Sequence, residues 1–308
     1  MLTSFITIES KYVSMKKLYL IFLLFISVFV VKAQDFKGIW TGELKSKVLN
    51  TQVLDVQYIL HVKDQNQNIV NGKAYIYRGH PFKAEGAFDF IGVIKGSELK
   101  INELKILYSR IPADTVRFLC IKDLDLTLTQ DKGVDNLKGT FTGAGENTLP
   151  CYPGVAHLER FNRDNQNNIP QSMLTTILLD DNDPNVFLQT KLARPIVIEV
   201  TSNIIKLEIG DYLQEDGDII SVYYNRRQFI KNLPIVNKKS IHNLRLYRDK
   251  ELHEIILYAE NLGSIPPNTS TLRVFDGSKE HQIQIQSSKQ VSAVVYLRYI
   301  PPPKSPSR

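Results

Sequence analysis

The sequence predicts an all-β chain, an eight-stranded antiparallel barrel followed by a β-sandwich. Three observations carry that expectation. From residue 34 to 163, apolar and polar residues alternate in short runs, and no stretch keeps a 3.6-residue apolar period for ten residues, which is the pattern of half-buried strands. Gly, Pro, Asn and Asp gather between those runs, where turns need them. A polar, Asn-rich stretch then interrupts the pattern before strand periodicity resumes at Arg194.

Ahead of the first strand, Leu18 to Val31 reads LYLIFLLFISVFVV, with Met15-Lys16-Lys17 before it and Lys32-Ala33 between it and Gln34. A basic start, an apolar run and a small residue predict a secretory signal peptide over residues 1–33, cut after Ala33. Fourteen helical residues span only about 21 Å, short of the ~30 Å hydrocarbon core, which argues against a membrane anchor. Met15 stands where the basic segment of a signal begins, so residues 1–14 fit an upstream mis-start as well as functional sequence. The expected location is secreted or periplasmic, with no transmembrane segment in the mature chain.

Within the first domain, residues 34–163, the alternation predicts strands at 38–44, 54–62, 69–77, 82–90, 99–107, 119–129, 136–142 and 154–161. Short loops such as Asn66-Gln67-Asn68, Gly96-Ser97 and Asp131-Lys132-Gly133 join them, which suits an up-and-down barrel whose closure removes sheet edges. Residues 164–193 read as a linker, with Asp180-Asp181-Asn182-Asp183-Pro184 as breakers and one ordered piece at Met173 to Leu179. The second domain, residues 194–300, offers strands at 195–200, 204–209, 219–224, 228–233, 241–247, 252–260, 271–275, 281–285 and 291–298. That number in about a hundred residues predicts a sandwich of Ig-like size. The Pro-rich tail, residues 301–308, cannot form a ladder and is expected to be disordered.

Composition narrows the function. With 43% hydrophobic and 23% charged residues, the chain is neither collagen-like nor wholly disordered. Lys11, Lys16, Lys17 and Lys32 against Glu9 place half of the formal +6 inside the signal, leaving neither domain the basic excess of a nucleic-acid surface. Cys120 and Cys151 are the only cysteines, and in an oxidising compartment they are expected to pair, at about 3 to 4 kcal/mol in the chain-entropy model.

Two resemblances follow from particular residues. Phe36-Lys37-Gly38-Ile39-Trp40 resembles the G-x-W signature of the lipocalin and fatty-acid-binding (calycin) barrels, placed as there at the start of strand one. The resemblance implies a lipocalin-like barrel in which Arg160, from the closing strand, packs over Trp40 beside Gly38, a cation–π closure that is structural. Read alone, Trp40 is equally a plain core residue. Further on, the segments Asp216 to Asn225 (DGDIISVYYN) and Ala259 to Thr269 (AENLGSIPPNT), then Asp276-Gly277, resemble a module recurrent at the C-terminus of uncharacterised secreted proteins of Gram-negative bacteria. Such a module commonly follows a small β domain opening with G-x-W-x-G, here Gly38 to Gly42. The kinship implies no activity.

Candidate chemistry is sparse. Asp211, Asp216 and Asp218 lie within eight residues ahead of a strand, and hard oxygen ligands on a loop are what Ca²⁺ requires, with Asn225, Glu260 and Asn268 as possible second-loop partners. The alternative is an Asp-Gly turn whose carboxylates cap backbone N–H groups. No His pair falls at metal-ligand spacing, and no nucleophile elbow, phosphate loop or dinucleotide fingerprint occurs. Aromatics alternating along the middle barrel strands (Tyr58, Tyr75, Tyr77, Phe82, Phe88, Phe90) predict a filled core, with an apolar pocket as the alternative. The expected function is an exported, non-enzymatic binding or adhesion protein of the envelope or extracellular space. Its partner would be a small apolar ligand, an extracellular glycan or a protein. The alternatives are a secreted hydrolase of an extracellular polymer and a structural envelope component.

Overall fold

The computed structural model describes residues 34–48, 52–78, 84–112, 117–146, 149–161, 177, 183–211 and 214–302. The predicted signal peptide, Phe82 and the end of the Pro-rich tail lie outside these. The first eight strands are β1 (Gly38–Val48), β2 (Gln52–Asn66), β3 (Ile69–Tyr77), β4 (Ala84–Lys95), β5 (Glu98–Ser109), β6 (Ile121–Asp131), β7 (Val134–Ala144) and β8 (Gly154–Arg160). Each pairs antiparallel with the next and β8 returns to β1, closing the barrel. The turns at Gln67, Gly96 and Lys132-Gly133 take the positive φ that tight reversals between twisted strands demand.

Period-2 alternation sorts the barrel side chains. Tyr58, Leu60, Val70, Phe88, Phe90, Leu124 and Leu158 belong to the inner core. Tyr75 and Tyr77 fall on the outer face, where they pack with Ile59, Ala84, Ala87 and Ile177. The aromatics expected as one core are therefore divided between two surfaces.

The second region opens with β9 (Val186–Phe187), β10 (Thr190–Leu192), β11 (Ile196–Val200) and β12 (Ile204–Gly210). It continues with β13 (Ile219–Tyr224), β14 (Arg227–Pro234), β15 (Ser240–Arg245), β16 (Leu252–Ala259), β17 (Asn268–Phe275), β18 (Glu280–Ser287) and β19 (Val291–Tyr299). One sheet runs β14-β13-β16-β19-β10-β9, with β11 also on β19, and the other runs β15-β12-β17-β18. Their facing sides bury Val222, Ile255, Leu257 and Leu297 against Ile205, Leu207, Leu272 and Val274. At roughly 1.5 to 3 kcal/mol per buried aliphatic side chain, this core holds the sheets together.

The expected linker needs correction at its C-terminal end. Residues 186–192 are strands, β10 runs parallel to β19, and Ile177 is buried against the barrel wall. Two- and three-residue strands are too short for periodicity to register, and the Asp and Asn around them read as breakers.

Nor are the two domains separate bodies. Leu252, Ile256, Val294 and Tyr296, on the outer side of the larger sheet, pack with Phe187 against Ile91, Val93 and Leu104 of the barrel wall. The described residues from Phe36 onward accordingly form one compact unit. This apolar seam explains why β4 and β16 are buried along nearly their whole length rather than at alternate positions. Lys250–Asp123 at 2.8 Å and Lys95–Glu251 at 2.9 Å flank the seam. Among the described residues no helix is long and apolar enough to cross a membrane.

Candidate functional site

The two ends of the barrel differ. At one end Gly38 begins β1 with φ 114°, which an L side chain rarely adopts, and Gly42 lets β1 approach β8 so closely that a Cβ would lie 2.0 Å from His157 O. Trp40 is fully buried there and donates Nε1–H to Phe36 O at 2.9 Å. The Arg160 guanidinium lies 4.2 Å from the Trp40 ring centroid, donates to Lys37 O and pairs with Asp135 at 3.0 Å. Trp40 and Arg160 are directly opposite in the β1–β8 ladder, so the register itself makes the contact. These residues plug one end.

Toward the other end the interior is not filled. A cavity of about 880 Å³ lies between Leu44, Val56, Ile76, Leu119 and Phe141. Leu54, Phe118 and Tyr152 stand half-exposed around its rim. The Cys120–Cys151 disulfide forms part of the wall, tying the chain ahead of β6 to the chain ahead of β8. An eight-stranded barrel is about wide enough to be filled by its own side chains or to hold one small ligand. In this barrel the large aromatics Tyr58, Phe88 and Phe90 occupy inward positions of the middle strands, and the strand ends carry smaller residues such as Ser46 and Gly143.

Among the described residues, five charged side chains border this cavity or sit just behind its wall. Lys122 shares the inward parity of Leu124 and Leu126, and its ammonium contacts Glu103 Oε2 at 3.4 Å, Cys120 O at 2.7 Å and the Phe88 ring at 4.4 Å. Glu103 is fully buried and also accepts from the Tyr58 hydroxyl at 2.8 Å and from Lys122 N–H at 2.7 Å. Burial pushes the Glu103 carboxyl above and the Lys122 ammonium below their ordinary values, each opposed by the charge of the other. At the rim, Glu85 lies 3.5 Å from both Arg78 and Arg117. Burial, opposed by Glu85, and the nearby Arg117 charge lower the Arg78 guanidinium.

The carboxylates of the second region do different work. Asp216 accepts Ile265 N–H at 2.7 Å and Asp218 accepts Thr269 N–H at 2.8 Å, so both latch the 264–269 segment to the start of β13. Burial raises the Asp218 carboxyl, the Thr269 bond opposes this, and Asp216 and Asp211 add to the rise. Among the described residues, no three His, Cys, Asp or Glu side chains are grouped to hold a metal ion, and Asp211, Asp216 and Asp218 are no exception. Of the suggested partners, Glu260 accepts from Ser221 Oγ, and Asn268 donates to Ile219 O and Asn261 O at this same end of the sandwich. Asn225 does not join them. It closes the β13–β14 hairpin at the far end of β13 with φ 48°, and its Oδ1 accepts Glu254 N–H.

A groove of about 370 Å³ between barrel and sandwich is lined by Asp123, Glu146, Asp249, Tyr224 and Tyr247 among others. Asp123 is already held by Lys250 and by Asn102 at 2.9 Å. Sequence reasoning passed over Arg78, Glu103, Arg117 and Lys122, and gave no weight to Glu85. Lys122 and Glu103 left a trace, each as a charge at the inward parity of apolar neighbours, Leu124 and Leu126 in β6 and Leu99 and Ile101 in β5. Compared with known proteins, the chain matches no family model and no curated protein.

Proposed function

We propose that the chain is an exported, non-enzymatic binding protein whose barrel cavity holds a small, largely apolar ligand, with the sandwich docked on the barrel wall as a rigid support. The cavity carries this reading. It is within the ~300 to 1,000 Å³ typical of small-molecule sites, apolar over most of its wall, with a few polar groups fixed in place. The plugged Trp40–Arg160 end leaves the Leu54, Phe118 and Tyr152 end as the way in. The hydrolase alternative draws no comparable support, since Asp123 is committed to Lys250 and Asn102, and Glu103 to Lys122 and Tyr58. Export rests on Lys16, Lys17, the apolar run to Val31 and Ala33.

A neutral naphthylamine dye, fluorescent in apolar surroundings, tests the reading. It is expected to bind at one site per chain, and Val56→Trp, which fills the cavity, is expected to remove binding while the melting temperature stays within a few degrees. Leu54→Trp at the rim is the second variant should Val56→Trp fail to fold. Absence of binding, or binding untouched by the rim variant, would overturn it.

A further inference from the structure

Sheet edges are where a β protein is open to association, and the edges of this sandwich are not alike. β14 pairs with β13 through register shifts, carries Lys231 and ends at Pro234. β15 has six residues, follows Lys238-Lys239 and ends at Arg245. β9 has two residues, and β11 has five, with Pro195 ahead of it and Glu199 within it. β18 lacks these protections. It is the outer strand of the smaller sheet, eight residues paired with β17 in unbroken register from Glu280 to Ser287. From His281 to Ser288 the chain holds no Pro, Gly, Asp, Glu, Lys or Arg. Among the described residues no strand takes its outer edge, where alternate residues point backbone N–H and C=O away from β17.

The sequence of that edge is symmetric. Laid antiparallel on a second copy about Gln284, it sets Gln284 opposite Gln284, Gln282 opposite Gln286, Ile283 opposite Ile285 and His281 opposite Ser287. Gln282, Gln284 and Gln286 are exposed, and a carboxamide both donates and accepts, so each can pair with its counterpart. Ile285 is buried and Ile283 half-buried against the core, so the same register carries the apolar layer on into the partner. A slip of one residue would set Gln against Ile along the whole strand, inner face against outer. His281 Nε2 and Ser287 Oγ are both buried without a hydrogen-bond partner in the single chain, and this register sets those two residues opposite each other. We propose that β18 pairs with β18 of a second copy about a two-fold axis at Gln284, joining two four-stranded sheets into one. An isologous junction of this kind closes at two chains, because it uses the same edge of both. Standard interfaces take about 20 to 30 residues a side, so the eight of β18 are expected to give a dimer of micromolar rather than nanomolar affinity.

Sedimentation velocity of the full chain from roughly 1 to 500 µM measures the association, and a monomer–dimer equilibrium is expected. Gln284→Lys, at an exposed position, sets two ammonium groups face to face at the axis and should weaken the dimer roughly tenfold or more while the dilute chain melts as before. Gln282→Lys with Gln286→Lys opposes the same charges off the axis and serves if Gln284→Lys does not fold. Cysteine cross-linking with a short bis-maleimide reads the register, since the native thiols are joined to each other. Gln284→Cys should link to its copy, whereas Glu280→Cys, about 27 Å from its copy along an extended strand, should not. A chain that stays monomeric throughout that range would overturn the pairing. So would association untouched by the lysine variants, cross-linking at position 280 and not at 284, or growth beyond the dimer.

Discussion

Arg226 and Asp89 are 137 residues apart in the sequence and meet at 3.2 Å in the seam between sandwich and barrel. Arg226 closes the β13–β14 hairpin, donates Nε–H to Glu254 at 2.7 Å and reaches Pro184 O with Nη2–H at 3.0 Å. Its side chain and that of Glu254 are almost wholly buried. Burial holds the Asp89 carboxyl above its ordinary value despite the Arg226 charge, while Glu254 and Asp89 outweigh burial at Arg226 and raise it. The hairpin is thereby locked to the barrel by a desolvated charge network inside an apolar interface.

Arg226→Met would leave Glu254 buried without its cation and Asp89 with only the nearby Lys73 and Lys105 charges, at a cost of about 3 to 5 kcal/mol. Asp89→Asn keeps the Arg226–Glu254 pair and should cost clearly less. Chemical denaturation measures both. Because the seam is shared, the wild type should unfold in one cooperative transition, and limited proteolysis should not release a stable 194–300 fragment. Two separated calorimetric transitions would show that barrel and sandwich are energetically independent.

His253 predicts an acid limit to stability. It is fully buried, Nε2 faces Lys250 O at 3.2 Å, and Nδ1 faces the Tyr224 hydroxyl at 2.8 Å. A carbonyl only accepts, so Nε2 carries the proton and Nδ1 accepts from Tyr224, which is the neutral ring. Burial pushes the folded value down to about 4 from the ordinary 6.5. Between those values the unfolded chain binds a proton that the folded chain excludes. Stability is therefore full above about pH 6.5 and falls as the pH drops toward 4, by up to roughly 3 kcal/mol. Denaturation midpoints across that window should show the slope, and His253→Gln should flatten it.

Asp216 and Asp218 predict a latch. Asp218→Ala would leave the Thr269 N–H without its acceptor, costing about 1 to 3 kcal/mol. If these carboxylates act only through backbone N–H groups, excess Ca²⁺ and chelator should give equal melting temperatures. A saturating cation would instead add about 2.7 kcal/mol at a hundredfold excess over its dissociation constant, visible as a shift of several degrees.

Export predicts a mature terminus at Gln34. Mass spectrometry of the protein isolated from its native host should find that residue first. An intact Met1 or Met15 terminus in the cytoplasm would contradict it.

The strands were legible because period-2 alternation is a local signal. Those of the barrel, and of the sandwich apart from the short β9 and β10, appear where the pattern placed them, shifted by a few residues at their ends, as at β4, expected from 82 and observed from Ala84. The Trp40–Arg160 stack was visible through the G-x-W signature and the last strand. The seam was not, since Ile91 and Val93 read as ordinary strand residues and nothing local says that a second sheet covers them. The cavity rim was illegible for a similar reason. Arg78 and Glu85 meet across the β3–β4 pair and Arg117 reaches them from the chain after β5, and alternation within a strand does not show which end-of-strand charges converge. Asn225 was misplaced because sequence distance from Asp218 cannot show that a strand carries it to the opposite end of the sheet.

The most direct test of the ligand cavity is a crystal structure of the protein with the neutral naphthylamine dye. The dye should lie between Leu44, Val56, Ile76 and Phe141. A dye seated instead in the groove beside Tyr247, or a barrel interior closed by its own side chains at saturating dye, would contradict a binding function for the barrel.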